Sequence, residues 1–437
     1  MAPSRTSSPK NPPRPPKPAL HPPRVGPRPL ALHATIAATS WLGCAAALPN
    51  SRQDSPQRLP LRWHKSLAAR ASDLESQRRK HPEAAFRTAL GREIKRRLAA
   101  FHDGLVRYRK AAYRRDVPAA KIAWQEGTTT LFDYAPDARA QARPVLLVPS
   151  LVNRAYILDL AADNSLARFL AAQGFRPFLV DWAAPGEAER GFGLAHYVDR
   201  RLAAMLACVE ATAGGGGKPA VLGYCMGGLL ALGLAQRRQE RLSGLALLAT
   251  PWDFHTERVD LAQGIGEAFE PWWPWIDKVG EVPVDVLQGL FAALDPFLAA
   301  RKFRALSGVS EDNPKFKAFV ALEDWLNDGV ALSAPVARET LVGWYGENNP
   351  MRGRWTLGGR AVLPQAIGLP SLCVIPAQDR IVPPASATAL ADRLANCERL
   401  APPLGHIGMV VGGRGRAELW APLASWLARL PATKPGR

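Results

Sequence analysis

Six residues in the middle of the chain, Gly223-Tyr224-Cys225-Met226-Gly227-Gly228, constrain its fold more than any other stretch. The apolar run Pro219-Ala220-Val221-Leu222 leads into them, and the helix-forming run Leu229-Leu230-Ala231-Leu232-Gly233-Leu234-Ala235 leads away. A buried strand that turns at once into a helix, with a single reactive side chain at the bend, forces that residue into a strained backbone conformation. Its neighbours must then be small enough for strand and helix to pass close together, which Gly223, Gly227 and Gly228 allow. The residue at the bend is a cysteine, Cys225, where serine is the commoner nucleophile of such a turn.

The stretches around this bend alternate between strand and helix. From about residue 121, the pattern predicts an antiparallel strand or hairpin over 124–134, a fully buried strand over 144–149 and another over 175–182. A helix over 165–174 separates the last two and is closed by Gly174. A long helix over 194–212 and a flexible connection, Gly214-Gly215-Gly216-Gly217, precede the bend; a further strand follows over 242–250. The rhythm breaks between about 251 and 364, where Pro271-Trp272-Trp273-Pro274-Trp275 and helices over 284–294 and 316–328 suggest a lid. Its tryptophans either line an acyl-binding cleft or fill the lid's own core. Alternation then resumes with a strand at 370–376, a helix at 387–396, a short strand at 398–401 and a last helix at 416–430. Such order predicts an α/β class protein with the α/β-hydrolase fold: a mostly parallel central sheet, helices on both faces, and a helical lid inserted into a catalytic domain spanning 121–437.

A cysteine at this bend needs a base, which this fold supplies from a loop after the last strand, in the chain order nucleophile, acid, histidine. His406, in Leu404-Gly405-His406-Ile407-Gly408, occupies that loop, and Asp379 follows the penultimate strand. The expected triad is Cys225, Asp379 and His406. Asp253 and His255, just after the strand ending near 250, are rival acid and base. The oxyanion of the tetrahedral intermediate requires preorganised donors. The backbone N–H of Met226 is the first, and that of Val152, to within one residue, the second. A thiolate beside histidine exchanges readily with thioesters, so an acyl thioester is the expected substrate class.

The formal net charge of +18 lies on the N-terminal side: residues 1–115 carry 24 Lys and Arg against 6 Asp and Glu, and the remainder is balanced. Residues 1–62, rich in proline and arginine, are expected to be a disordered arm. Residues 63–120 read as a basic helical segment, one or two amphipathic helices joined near Pro82, with Leu67, Leu74, Phe86, Leu90, Ile94, Leu98, Phe101, Leu105 and Tyr108 recurring at three- and four-residue steps. Its basic face is either simply solvated or attaches to an anionic surface such as a membrane or granule. No helix-turn-helix, zinc-finger or RNA-binding signature accompanies the charge, so nucleic acid is not an expected partner. Five cysteines without C-x-x-C spacing argue against a metal cluster or a disulfide scaffold and suit a cytoplasmic setting. The apolar stretch 34–48 has the length of a secretory core, but the proline-rich lead before it is too long, and no membrane span is expected.

Beyond the bend, Pro149-Ser150-Leu151-Val152-Asn153-Arg154-Ala155-Tyr156-Ile157-Leu158-Asp159-Leu160, Asn164-Ser165-Leu166-Ala167-Arg168 and Val180-Asp181-Trp182 together resemble the polyhydroxyalkanoate (poly-3-hydroxybutyrate) synthases. The segment around Cys225 is similar to their cysteine lipase box, and Asp379-Arg380-Ile381-Val382-Pro383 and Gly405-His406-Ile407 to the segments bearing their acid and base. The resemblance covers about residues 120–430. It implies an acyltransferase that moves (R)-3-hydroxyacyl groups from coenzyme A thioesters to a polyester held on Cys225, without metal or other cofactor, in the cytoplasm and on polyester granules. The sequence departs from the family at Arg380, where a histidine is usual, and only loosely echoes its tryptophan-asparagine region at Trp325-Leu326-Asn327-Asp328. A hydrolase using the same triad on thioesters or polyesters, and a non-catalytic granule- or membrane-associated protein, are the alternative readings. A homodimer and a second synthase subunit both stay open as partners.

Overall fold

The computed structural model describes residues 23–46, 65–213, 217–257 and 259–431. Its centre is an eight-stranded sheet formed by β1 (Lys121–Glu126), β2 (Thr129–Asp133), β3 (Pro144–Val148), β4 (Arg176–Asp181), β5 (Ala220–Tyr224), β6 (Gly244–Leu248), β7 (Ser371–Val374) and β8 (Cys397–Leu400), in the spatial order β1-β2-β4-β3-β5-β6-β7-β8. The first two strands form an antiparallel hairpin, and β2 meets β4 antiparallel. All pairings from β4 to β8 are parallel. Strands β3, β5, β6 and β7 are buried along their whole length, as expected where helices cover both faces.

Alternation along each strand assigns the two faces. Leu146, Val148, Val221, Leu245 and Leu247 join one core, while Val145, Leu147, Leu222, Ala246 and Leu248 join another.

Before the sheet, the chain forms α1 (Leu30–Ala46), α2 (Lys65–Arg79) and α3 (Glu83–Lys110). Helix α4 (Leu166–Ala172), capped by Ser165 Oγ accepting from Arg168 N–H at 3.0 Å, lies on the second face. On the first face lie α5 (Ala203–Ala213), which continues a π-helical turn at Tyr197–Leu202, and α6 (Met226–Arg238). Residues 214–216 of the expected flexible connection lie outside the described residues.

The insertion after β6 contains α7 (Val259–Phe269), α8 (Trp273–Val279), α9 (Val284–Leu294), α10 (Leu298–Leu306) and α11 (Pro314–Asn327). Helices α12 (Pro384–Ala391) and α13 (Ala421–Arg429) complete the two layers.

The N-terminal arm corrects the sequence reading in part. Residues 23–46 are folded rather than disordered: Ala37 and Trp41 of α1 pack with Ile94, Phe101 and Tyr108 of α3 and with Phe303 of α10 in a third core. Arg24 anchors the segment, pairing with Asp324 at 2.6 Å and donating to the carbonyl of Ala111 at 2.6 Å. A proline-rich composition has little apolar area of its own, but here the partner surface lies in distant parts of the chain. Residues 1–22 and 47–62 lie outside the described residues. Among the described residues no helix is long and apolar enough to cross a membrane.

The strand order reverses at β3: β4 lies on one side of it and β5 on the other. The loops leaving the carboxyl ends of β3 and β5 therefore diverge and open a crevice, the place where open α/β sheets take ligands.

Candidate active site

Cys225 is the first residue after β5, and it has φ 57° and ψ −127°, a left-handed conformation costly for a residue with a side chain. The bend is fixed from both sides: Cys225 N–H donates to Leu248 O at 2.8 Å, and Cys225 O accepts from Gly228 N–H at 2.9 Å. The flanking glycines have separate reasons. A Cβ on Gly227 would overlap the backbone of Val148 and Pro149, and one on Gly228 would overlap Thr250 Oγ1. Their absence lets the first turn of α6 sit against the ends of β3 and β6, with its N-terminal dipole at the sulfur.

His406 and Asp379 are both buried, and His406 Nδ1–H donates to Asp379 Oδ2 at 2.7 Å. The other carboxylate oxygen, Oδ1, accepts from Ile381 N–H at 2.8 Å and Val382 N–H at 2.9 Å, so the carboxylate is oriented by backbone. Tyr224 supports the imidazole, its ring 5.2 Å away centroid to centroid and its hydroxyl donating to His406 O at 3.2 Å. With Nδ1 engaged, the imidazole faces the same cavity as Cys225, close enough to feel its charge. Burial pulls the imidazole down, but the charge of Cys225 and hydrogen bonds to Asp379 and Cys225 outweigh it and raise His406 to about 10. The three side chains expected from chain order thus meet in space.

The rivals do not. Asp253 accepts from Asn348 Nδ2 at 2.7 Å and His255 Nε2 donates to Tyr345 O at 2.7 Å, and neither borders the cavity of Cys225. Met226 opens α6, where the first N–H groups have no intrahelical partner, so its N–H is available beside the sulfur. Val152 borders the same cavity, but its N–H donates to Ser150 Oγ at 3.3 Å and its carbonyl accepts from Val330 N–H at 3.1 Å.

Cys225 and His406 open onto a cavity of about 330 Å³. Its apolar walls include Phe291, Leu298 and Trp325 of the lid. The tryptophans of the Pro-Trp-Trp-Pro-Trp motif are elsewhere: Trp273 is in the core, while Trp272 and Trp275 are 60% and 50% exposed. Composition pointed to lid aromatics at the site but not to which, because the choice depends on which face of each lid helix turns inward. Arg380 lies 3.5 Å from Asp295 at the end of α9, linking the loop of Asp379 to the lid. The contribution of Arg28 and His33 to the cavity wall was not foreseen. No spacing in the N-terminal segment signals it, since those residues are placed by contacts with distant parts of the chain: the Arg24 anchor, the packing of Ala37 and Trp41, and Arg28 N–H donating to Asn327 Oδ1 at 2.7 Å.

Residues 143–412 match the family model for the alpha/beta hydrolase fold. The poly(3-hydroxyalkanoate) polymerase subunit PhaC of Allochromatium vinosum is 29% identical over 71% of this chain and 88% of its own length. That of Haloarcula marismortui is 29% identical over 70% of this chain and 67% of its own length. The Synechocystis protein of the same name is 30% identical, covering 70% and 84%. Matches of this extent, over a sheet with its cysteine at the strand–helix bend, mean that the chain belongs to the polyhydroxyalkanoate synthase family of the α/β-hydrolase superfamily.

Proposed function

We propose that the protein transfers (R)-3-hydroxyacyl groups from coenzyme A thioesters to a growing polyester, with Cys225 as the covalent carrier. The observation that carries this reading is a thiol at a strained bend that shares its cavity with the histidine of a buried imidazole–carboxylate pair, in a chain whose relatives are named poly(3-hydroxyalkanoate) polymerases.

In the first half of the cycle His406 takes the proton of Cys225, and the thiolate attacks the thioester carbonyl. The N–H of Met226 stabilises the oxyanion. Coenzyme A leaves as a thiol with the proton from His406, and the acyl group stays on sulfur. In the second half the 3-hydroxyl of a hydroxyacyl unit gives its proton to His406 and attacks the acyl carbonyl. An ester forms, and Cys225 leaves and regains the proton. Asp379, bonded to Nδ1, holds the imidazole in the tautomer and orientation both halves need. The proposed cycle draws its acyl groups from the thioester and uses no further cofactor.

Purified protein given 3-hydroxybutyryl-coenzyme A should release coenzyme A, form insoluble polymer and carry acyl groups on the peptide containing Cys225. The Cys225→Ala variant should lose about 10³-fold or more of coenzyme A release. Unchanged release by that variant would overturn the reading, and free acid without polymer would assign the triad to hydrolysis.

A further inference from the structure

Three side chains on the wall of the Cys225 cavity carry buried polar atoms that meet no protein partner: His33 Nδ1, Asn153 Oδ1 and Glu323 Oε2. They reach the cavity from α1, from the loop after β3 and from α11. Buried polar atoms are nearly always paired, so three orphans on one cavity mark a surface shaped for a ligand.

All three present acceptors. Glu323 is 2% exposed, and its other oxygen, Oε1, meets Lys302 Nζ at 2.6 Å, which fixes the carboxylate. His33 Nε2 lies 3.2 Å from Arg28 O, a group that can only accept, so Nε2 carries the hydrogen. Burial holds the His33 imidazole below its ordinary value. The ring is therefore neutral near pH 7, and Nδ1 is a bare lone pair. The bound group must be a hydrogen-bond donor. A neutral donor suits the site better than an ammonium, because the wall carries Arg28, Arg154, Arg301, Lys302 and Arg380 against two carboxylates, Asp295 and Glu323, which already pair with Arg301 and Lys302.

We propose that His33, Asn153 and Glu323 form a specificity patch that reads a neutral donor, a hydroxyl or an amide N–H, on the bound thioester. The proposal rests on the acyltransferase reading of Cys225. Two parts of the substrate offer this chemistry: the 3-hydroxyl of the acyl group, and the amides and hydroxyl of the pantetheine arm. In either case α1 contributes to substrate recognition through His33.

Single-turnover acylation of Cys225, followed by intact-protein mass, tests this with three thioesters. 3-Hydroxybutyryl-coenzyme A has both donors, butyryl-coenzyme A lacks the acyl hydroxyl, and S-ethyl 3-hydroxybutanethioate lacks the pantetheine arm. His33→Phe should slow acylation by 3-hydroxybutyryl-coenzyme A about tenfold, the worth of one hydrogen bond of ordinary strength. The compound lacking the relevant donor should change less than twofold, which names the source. Glu323→Gln should follow the same selectivity, and where loss of the Lys302 pair prevents its folding, His33→Phe alone decides. Equal changes for all three thioesters, or none, overturn the patch and leave its orphan atoms to water. A native enzyme that none of the three acylates overturns the acyltransferase reading instead.

Discussion

At Cys225 the chain accepts a left-handed backbone in order to present its sulfur, and the surrounding packing holds it there. The glycines of the bend show how directly residues can be read from sequence: the need for small neighbours was evident, although the obstacle to each side chain was not. Gly228 faces the buried side chain of Thr250, whose Oγ1, Cβ and Cγ2 would all overlap a methyl group at 228. Gly228→Ala should therefore cost about 2 kcal/mol of stability, as overpacking of a closed site does. Denaturant titration at fixed cleft composition measures it, and Thr250→Gly in the same chain should restore part of the loss. A variant as stable as the native protein would mean that α6 shifts to make room. Asp379 and His406 were likewise legible from chain order, but the bonds from Ile381 and Val382 N–H to Oδ1, a turn that aspartate favours, do not by themselves reveal that Oδ2 is left to face His406.

At the scale of elements, the buried strands and their helices were legible because full burial and the 3.6-residue period leave plain marks in sequence. Contacts between distant segments were not. Asp159 lies in the 149–160 stretch on which the family resemblance is read, and its surroundings are structural: Arg115 and Arg168 reach it at 2.8 Å and Tyr134 donates to it at 3.0 Å. Those partners come from three separate stretches and anchor the loop that leaves β3. Glu339 is a similar long-range joint. Its carboxylate accepts from Leu194 N–H at 2.9 Å, capping the helical run that leads into α5, while burial raises its pKa more than that bond lowers it. A carboxyl whose folded pKa lies above its unfolded value binds its proton more tightly when folded, so stability declines as pH rises above about 4.5. Glu339→Gln keeps the acceptor and removes the charge. Its melting temperature should exceed that of the native protein at pH 7 and converge with it near pH 4. An equal difference at both pH values would mean that the charge is not what burial penalises.

For the molecule as a whole, the uneven charge of the sequence has a counterpart in how its cores are divided. Two cores lie on the faces of the sheet, and the third joins α1 and α3 to α10 and α11 of the lid. The apolar α1 and the basic α3 are thus tied to the part of the protein that covers Cys225. Phe303 is the centre of that joint: it is fully buried, with its ring 6.4 Å from Phe101, 5.6 Å from Tyr108 and 5.4 Å from Phe319, all edge-on. Phe303→Ala removes the ring by which α10 joins both α3 and α11 and should cost about 3–5 kcal/mol within this core. The sheet takes no part in it, so the loss should be local. Hydrogen exchange should accelerate together over 30–46, 83–110 and 298–327, while β3, β5, β6 and β7 keep their protection. Because Arg28 and His33 reach the cavity from the same joint, acylation of Cys225 should weaken in parallel. Uniform acceleration across the sheet and the lid would show instead that the protein opens as one cooperative unit, with the N-terminal helices as integral to the fold as the strands.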